Sequence, residues 1–311
     1  MAALDRTDIA PDGAQAVAFA ALVIGALAMA ASPIFVRIAD VGPFASAFWR
    51  VALALPALWA WERLEAAHDR RRGRHVDMRA GLGPILLAGA FFAGDLFCWH
   101  LAIMKTTVAN ATFFATTMPV FVVLGMWLVL RQRIERTTLA GLALALAGGG
   151  ALIGESVQVA PSRVTGDIYG IVTAMFFGAY FLAVGAARKH AGSGRITFLA
   201  TIVTAAILLV VALVAEPRIL PASAEGWMVL AALALVSHAG GQGLMAFALG
   251  HLPTAFSSLV IFLEALAAAA FAWILLGEAL SLLQIAGGAV ILAGIFIARP
   301  RRVPVPVQPV A

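Results

Sequence analysis

Apolar runs of membrane-spanning length follow one another along almost the whole chain, separated by short segments that carry most of its charges. A helix needs roughly 20 apolar residues to cross the hydrocarbon core of a bilayer. Runs of that order fall at 16–38, 44–61, 80–104, 107–130, 137–154, 167–187, 196–215, 226–249, 253–276 and 281–298. The pattern predicts an all-α polytopic membrane protein with ten transmembrane helices.

The runs also repeat. Ala93–Gly148 lies over Ala239–Gly294 without a gap at an offset of 146 residues, with 12 identical pairs in 56 positions. Among them are Trp127/Trp273, Gly94/Gly240, Gly141/Gly287 and Gly148/Gly294, and the paired tryptophan outweighs the paired alanines. Five spans per copy force the second copy to enter the bilayer upside down, and inverted repeats around a central cavity are the mark of alternating-access carriers. The predicted organisation is a cytoplasmic tail (1–15), a first five-helix repeat (16–155), an external linker (156–166), a second, inverted repeat (167–299) and a proline-rich cytoplasmic tail (300–311).

Composition agrees with this reading: 62% of residues are hydrophobic and 12% charged, against roughly 25% charged in soluble domains. The net charge of +5 could suggest nucleic acid, but the basic residues sit in short loops. Of the 21 Lys and Arg, sixteen fall on the side of the N-terminus, four (Arg37, Lys105, Arg163, Arg218) on the other, and Arg50 lies within a span. That bias predicts both termini inside and no nucleic-acid partner. The segment before the first run sets Asp5, Asp8 and Asp12 against Arg6, so that run is expected to be a retained span, not a cleaved signal. One cysteine, Cys98, excludes an intramolecular disulfide and any CxxC site. No metal or cofactor site is expected.

A charge at mid-bilayer costs several kcal/mol unless paired or hydrated, so polar residues inside apolar runs tend to face a cavity. Asp95, His238, Gln242 and Glu264 lie at mid-span, and Arg50 and His100 nearer helix ends. His238 and Gln242, four apart, share one helix face, as do Asp95 and Trp99. Asp95 and Glu264 are either cavity carboxylates that bind a substrate ammonium or carry a proton, or carboxyl groups bonded to a neighbouring helix. Arg50 is expected to snorkel or clamp a helix more than to bind substrate. His238 either packs or lines the cavity. Trp99 and Tyr180 each bring a polar tip to a depth where it seeks a partner.

Breaking residues mark weak points. Pro119 should kink its helix at mid-span, and Gly240, Gly241 and Gly243 weaken the eighth run. With Pro33 these are the hinge or kink candidates. Gly141 and Gly148-Gly149-Gly150 in the fifth run are expected to serve close helix packing.

The stretch Ala93-Gly94-Asp95-Leu96-Phe97-Cys98-Trp99-His100-Leu101-Ala102-Ile103 resembles the third helix of the EamA family, within the drug/metabolite transporter superfamily. So do Val108-Ala109-Asn110-Ala111-Thr112 running into Thr117-Met118-Pro119-Val120, and, in the second half, Leu252-Pro253-Thr254-Ala255-Phe256-Ser257-Ser258-Leu259, Leu263-Glu264 and Leu276-Gly277-Glu278-Ala279. The resemblance covers about residues 16–298, and the nearest members are YddG-type amino-acid exporters. It implies ten helices in two inverted five-helix repeats around a central cavity, and adds Asn110 and Ser257 to the residues expected along the path. There are departures. A Glu-Pro pair common in the family's ninth helix reads Glu264-Ala265 here, and its counterpart in the first half reads Met118-Pro119.

The expected function is therefore a secondary transporter exporting amino acids or similar small organic metabolites, with the third, fourth, eighth and ninth spans lining the path. It would be a monomer or weak homo-oligomer in the lipid bilayer. No Walker A motif supplies ATP chemistry. The alternatives are a channel or a proton-coupled multidrug or cation exporter. A membrane-embedded enzyme is disfavoured, because neither HExxH nor a paired-carboxylate motif occurs and no catalytic residue is expected.

Overall fold

In the computed structural model the described residues are 12–72, 81–154, 161–276 and 281–300, and among them every regular element is helical. Arg6, Arg74, Arg79, Gly277-Glu278-Ala279, the 156–160 part of the linker and the proline-rich tail after residue 300 lie outside the described residues.

Ten helical crossings follow in order. They are α1 (Asp12–Ala30 and Ser32–Ile38), α2 (Pro43–Ala52 and Leu55–Arg71), α3 (Leu82–Lys105), α4 (Val108–Thr116 and Met118–Leu128) and α5 (Arg136–Ile153). The second set is α6 (Val164–Ala187), α7 (Ser193–Ala215), α8 (Ala224–Ala232, a π-helical stretch Leu233–Gln242, and Gly243–Ala248), α9 (Thr254–Val260 and Phe262–Leu276) and α10 (Leu282–Ile297). Among the described residues nine are long and apolar enough to cross a membrane, and α10 is apolar but shorter.

The two copies meet antiparallel. Gly141 on α5 lies against the carbonyl of Gly294 on α10, and Gly148 lies against the carbonyl of Gly287. A Cβ at any of the four would come within 2.5–2.6 Å of the facing oxygen. Adding 146 to Gly141 and Gly148 gives Gly287 and Gly294, so the seam maps onto itself under the inverted repeat. Small residues let the backbones approach this closely, as expected for the fifth run. Trp127 and Trp273, also a repeat pair, are 60% and 54% exposed on the outer faces of α4 and α9, where lipid would surround them.

The breaks sit at matching places. Proline has no N–H and its ring crowds the preceding turn, so α4 stops at Thr116 and restarts before Pro119. Two carbonyls beside the break accept side-chain hydroxyls in addition to the N–H of Thr117, Thr116 Oγ1 donating to Phe113 O at 2.8 Å and Thr117 Oγ1 to Phe114 O at 2.6 Å. In α9 the interruption falls at Ile261 with no proline nearby. Glu264 thereby enters the first turn of the second half-helix, where a carboxylate is favoured by the positive end of the helix dipole. Met118, its counterpart in the first repeat, opens the second half of α4.

The three glycines of the eighth run bring a wider turn. Gly240 and Gly241 lie in the last turn of the π-helical stretch, which ends at Gln242, and Gly243 begins the α-helix after it. Gly241 faces Gly25 and Met29 of α1, and Gly243 accommodates the ring of Trp61 from α2. Pro33 occupies the first turn of the short second piece of α1.

Candidate functional site

Two cavities lie along the middle of the bundle. The first is lined by Met29, Ser32, Arg50, Asp95, Leu96, Trp99, Ala115, Thr173, Phe177 and Glu264, and has about 360 Å³ of atom-free space including its open side. Much of that space belongs to the open side, so the enclosed part is tightly constricted.

Its charges come from three helices. Arg50 ends the first half of α2, Asp95 sits mid-way along α3, and Glu264 opens the second half of α9. All three are buried, and the guanidinium acts electrostatically on both carboxyl groups. Arg50 Nη1 donates to Ser32 Oγ at 2.9 Å, the guanidinium lies 5.5 Å from the centroid of the Trp99 ring, and Nε has no partner. Arg50 therefore does not snorkel to an interface: it is 2% exposed and sits in the cavity wall. One cation beside two carboxyl groups in a low-dielectric cavity can hold a solute carrying both an anionic and a cationic group.

The second cavity is lined by Leu58, Phe92, Tyr180, Thr197, Ala200, Thr201, Thr204, His238 and Gln242. His238 Nε2 and Thr201 Oγ1 are 2.9 Å apart, and Thr204 Oγ1 donates to Gly89 O at 2.8 Å. His238 Nδ1 and both polar atoms of the Gln242 amide are buried without partners. The Phe92 ring lies between Tyr180 (4.8 Å) and His238 (5.3 Å), so the repeat pair Phe92/His238 is in direct contact near the pseudo-two-fold axis.

Of the residues singled out in the sequence, Arg50, Asp95, Trp99 and Glu264 meet in the first cavity, and Tyr180, His238 and Gln242 in the second. Asn110 and Ser257 line neither. Asn110 Nδ2 donates to Asp167 Oδ1 at 3.1 Å beside Thr106 Oγ1 at 2.7 Å, which ties the start of α4 to the start of α6. Ser257 is fully buried in the first half of α9 with its hydroxyl unpartnered. The lining is broader than α3, α4, α8 and α9, because α1, α2, α6 and α7 also contribute walls. Sequence reading passed over Ser32, Thr173 and Thr201. Such hydroxyls are common in membrane helices, where they can bond their own backbone, and only their position in the bundle distinguishes these three.

Ten helical crossings in two inverted copies around buried polar cavities define a multi-pass membrane transporter fold. The EamA-like transporter family profile matches residues 16–152 and again 164–299, and the chain belongs to that family. It is 30% identical over 200 residues to an uncharacterized transporter of Archaeoglobus fulgidus, covering 63% of this chain and 69% of that one. It is 27% identical over 227 residues to the pseudopaline exporter CntI of Pseudomonas aeruginosa, covering 72% of this chain and 78% of the relative. A solved crystal structure superposes with a TM-score of 0.72 over 92% of this chain and 97% of the other, at 18% identity, which is a likeness of fold.

Proposed function

We propose that this chain is an exporter of amino acids or similarly sized zwitterionic metabolites, working by alternating access in the bacterial inner membrane with both termini in the cytoplasm. The observation that carries the reading is the convergence of Arg50 with Asp95 and Glu264 in one buried cavity. A substrate carboxylate is complementary to the guanidinium, whose Nε has no partner, and a substrate ammonium to the carboxyl pair. The resemblance to YddG-type exporters and the export function named for the Pseudomonas relative support the direction of transport. The repeats divide at the 156–166 linker in this reading. The interruptions at Pro33 and Pro119 and the glycines Gly240, Gly241 and Gly243 are the points where the bundle flexes.

The test is counterflow of labelled amino acids in proteoliposomes of the purified chain. Saturable uptake, competed by other amino acids and lowered at least tenfold by Arg50→Gln, supports the reading. Unsaturated conductance would instead indicate a channel, and transport confined to organic cations a cation exporter. That second reading draws on the excess of one carboxyl group over the guanidinium in the cavity. If Asp95→Asn and Glu264→Gln each leave rate and pH response unchanged, transport is not proton-coupled through either carboxyl group.

A further inference from the structure

The second cavity has a chemistry of its own. Among the described residues that line it there is no Lys, Arg, Asp or Glu, yet hydrogen-bonding groups from α6, α7 and α8 converge there. Thr204 and Thr197 are already engaged with backbone carbonyls, and Thr201 with His238. His238 Nδ1, Gln242 Oε1 and Gln242 Nε2 remain without partners on side chains that are 3% and 2% exposed. Buried polar atoms are almost always satisfied, and exceptions call for a ligand or water.

We propose that this cavity is the specificity subsite of the transporter, taking a neutral side chain that both donates and accepts hydrogen bonds, with a carboxamide as the best fit. The inference rests on the zwitterion reading of the first cavity. Gln242 presents one donor nitrogen and one acceptor oxygen, and a primary amide is the group that answers both at once. A charged side chain would be desolvated there with no counter-charge in the lining, and an apolar one would leave Gln242 and His238 unpaired.

The two cavities are neighbours on the same helices. α3 gives Phe92 to the second and Asp95, Leu96 and Trp99 to the first, while antiparallel α6 gives Tyr180 to the second and Thr173 and Phe177 to the first. Phe92 and Asp95 are three residues apart, about 5 Å along the axis at 1.5 Å per residue. That spacing between lining residues of the two cavities is about one side-chain length. The aromatic pairs Phe92–Tyr180 and Phe177–Tyr180 connect the linings of the two cavities.

Competition counterflow in proteoliposomes tests this with glutamine, glutamate and methionine, three side chains of similar length. Wild-type protein should prefer glutamine at least tenfold over each of the other two. Gln242→Met should lower the glutamine-to-methionine ratio at least tenfold, and His238→Phe should lower it by a smaller factor. Equal transport of the three by the wild type overturns the subsite without touching the zwitterion reading, and needs no variant to fold. An unchanged ratio in folded Gln242→Met protein overturns it as well. If no amino acid competes at all, both readings fall together.

Discussion

Glu65 and Glu216 make the same contact at opposite ends of the bundle. Glu216, just after α7, accepts the backbone N–H groups of Phe44 (2.7 Å) and Ala45 (3.1 Å) at the start of α2. Glu65, near the end of α2, accepts the N–H of Arg195 (3.3 Å) and the hydroxyl of Ser193 (3.3 Å) at the start of α7. Each carboxylate lies against an N-cap glycine, Gly42 or Gly192, where a Cβ would collide with it. The first turn of a helix has free N–H groups and a positive dipole end, so a carboxylate satisfies both. The antiparallel pair α2 and α7 is thus latched once at each end.

In an alternating-access cycle the two latches cannot be equivalent in every state, since opening one end separates one of them. Loss of a helix cap costs about 1 kcal/mol, enough to shift a two-state ratio roughly fivefold. Glu216→Gln and Glu65→Gln should therefore move the equilibrium in opposite directions. A cysteine introduced as Thr173→Cys in a Cys98→Ser background reports this through labelling by a maleimide added from outside. Labelling should rise in Glu216→Gln and fall in Glu65→Gln. A change of the same sign in both would dismiss the latches as gates.

The buried charges make a prediction about stability. Among the described residues Arg50 is the only cation lining the first cavity, and removing one partner of a buried charged set typically costs about 3–5 kcal/mol because the other is left uncompensated. Arg50→Met should lower the melting temperature of the purified protein markedly. Adding Glu264→Gln and Asp95→Asn to Arg50→Met should recover most of the loss. Additive destabilisation in the triple variant would show that Arg50 stabilises through Ser32 and Trp99 and not through the carboxyl groups.

Much of this architecture was legible in the residues. The apolar runs gave the crossings to within a few residues except at the end of α2, which continues as a charged helix to Arg71, ten residues past its run, and the 146-residue offset paired Gly141 with Gly287 and Gly148 with Gly294, which form the α5–α10 seam. The grouping of Arg50 with Asp95 and Glu264 was not legible, because hydropathy leaves the rotation of each helix about its axis undetermined. Nor were the latches. Glu65 and Glu216 are 151 residues apart, off the register of the main repeat, and they sit at helix ends where a charge draws no notice. Asn110 showed the opposite limit: a polar residue inside an apolar run that the structure uses to tie two helix ends through Asp167.

The α5–α10 seam offers an internal control. A Cβ at Gly148 would lie 2.6 Å from Gly287 O and 2.8 Å from Ile291 N, both backbone atoms that cannot yield without moving the helix. Gly150, two residues on, has nothing within 4 Å of an added Cβ. Gly148→Ala should destabilise by about 1–3 kcal/mol, the usual cost of overpacking. Gly150→Ala should be neutral or stabilise slightly, as alanine favours the helix. Thermal unfolding in detergent compares the two, and equal effects would mean that the seam is not tightly packed.

A third carboxylate clamp, between the α1–α2 connection and α8, should respond to acid. Asp40 Oδ2 accepts the Ser223 hydroxyl at 2.8 Å and the N–H groups of Ser223 (3.0 Å) and Ala222 (3.1 Å). Ser223 in turn caps α8, its Oγ accepting the N–H of Gly226 at 2.9 Å. The Ser223 hydroxyl bond, opposed by desolvation and helped by the backbone amides, holds the Asp40 carboxyl below its ordinary value of 3.8. A carboxyl group more acidic in the folded state stabilises that state at every pH above its unfolded value, and the contribution fades as pH falls through the folded one. Asp40 should therefore stabilise the protein at pH 5 and above and contribute progressively less below pH 3.8. In Asp40→Asn the amide no longer ionises, so the gap in melting temperature between wild type and variant should narrow as the pH is lowered from 6 to 3. A gap that stays constant across that range would show that the carboxylate charge is not what closes the clamp.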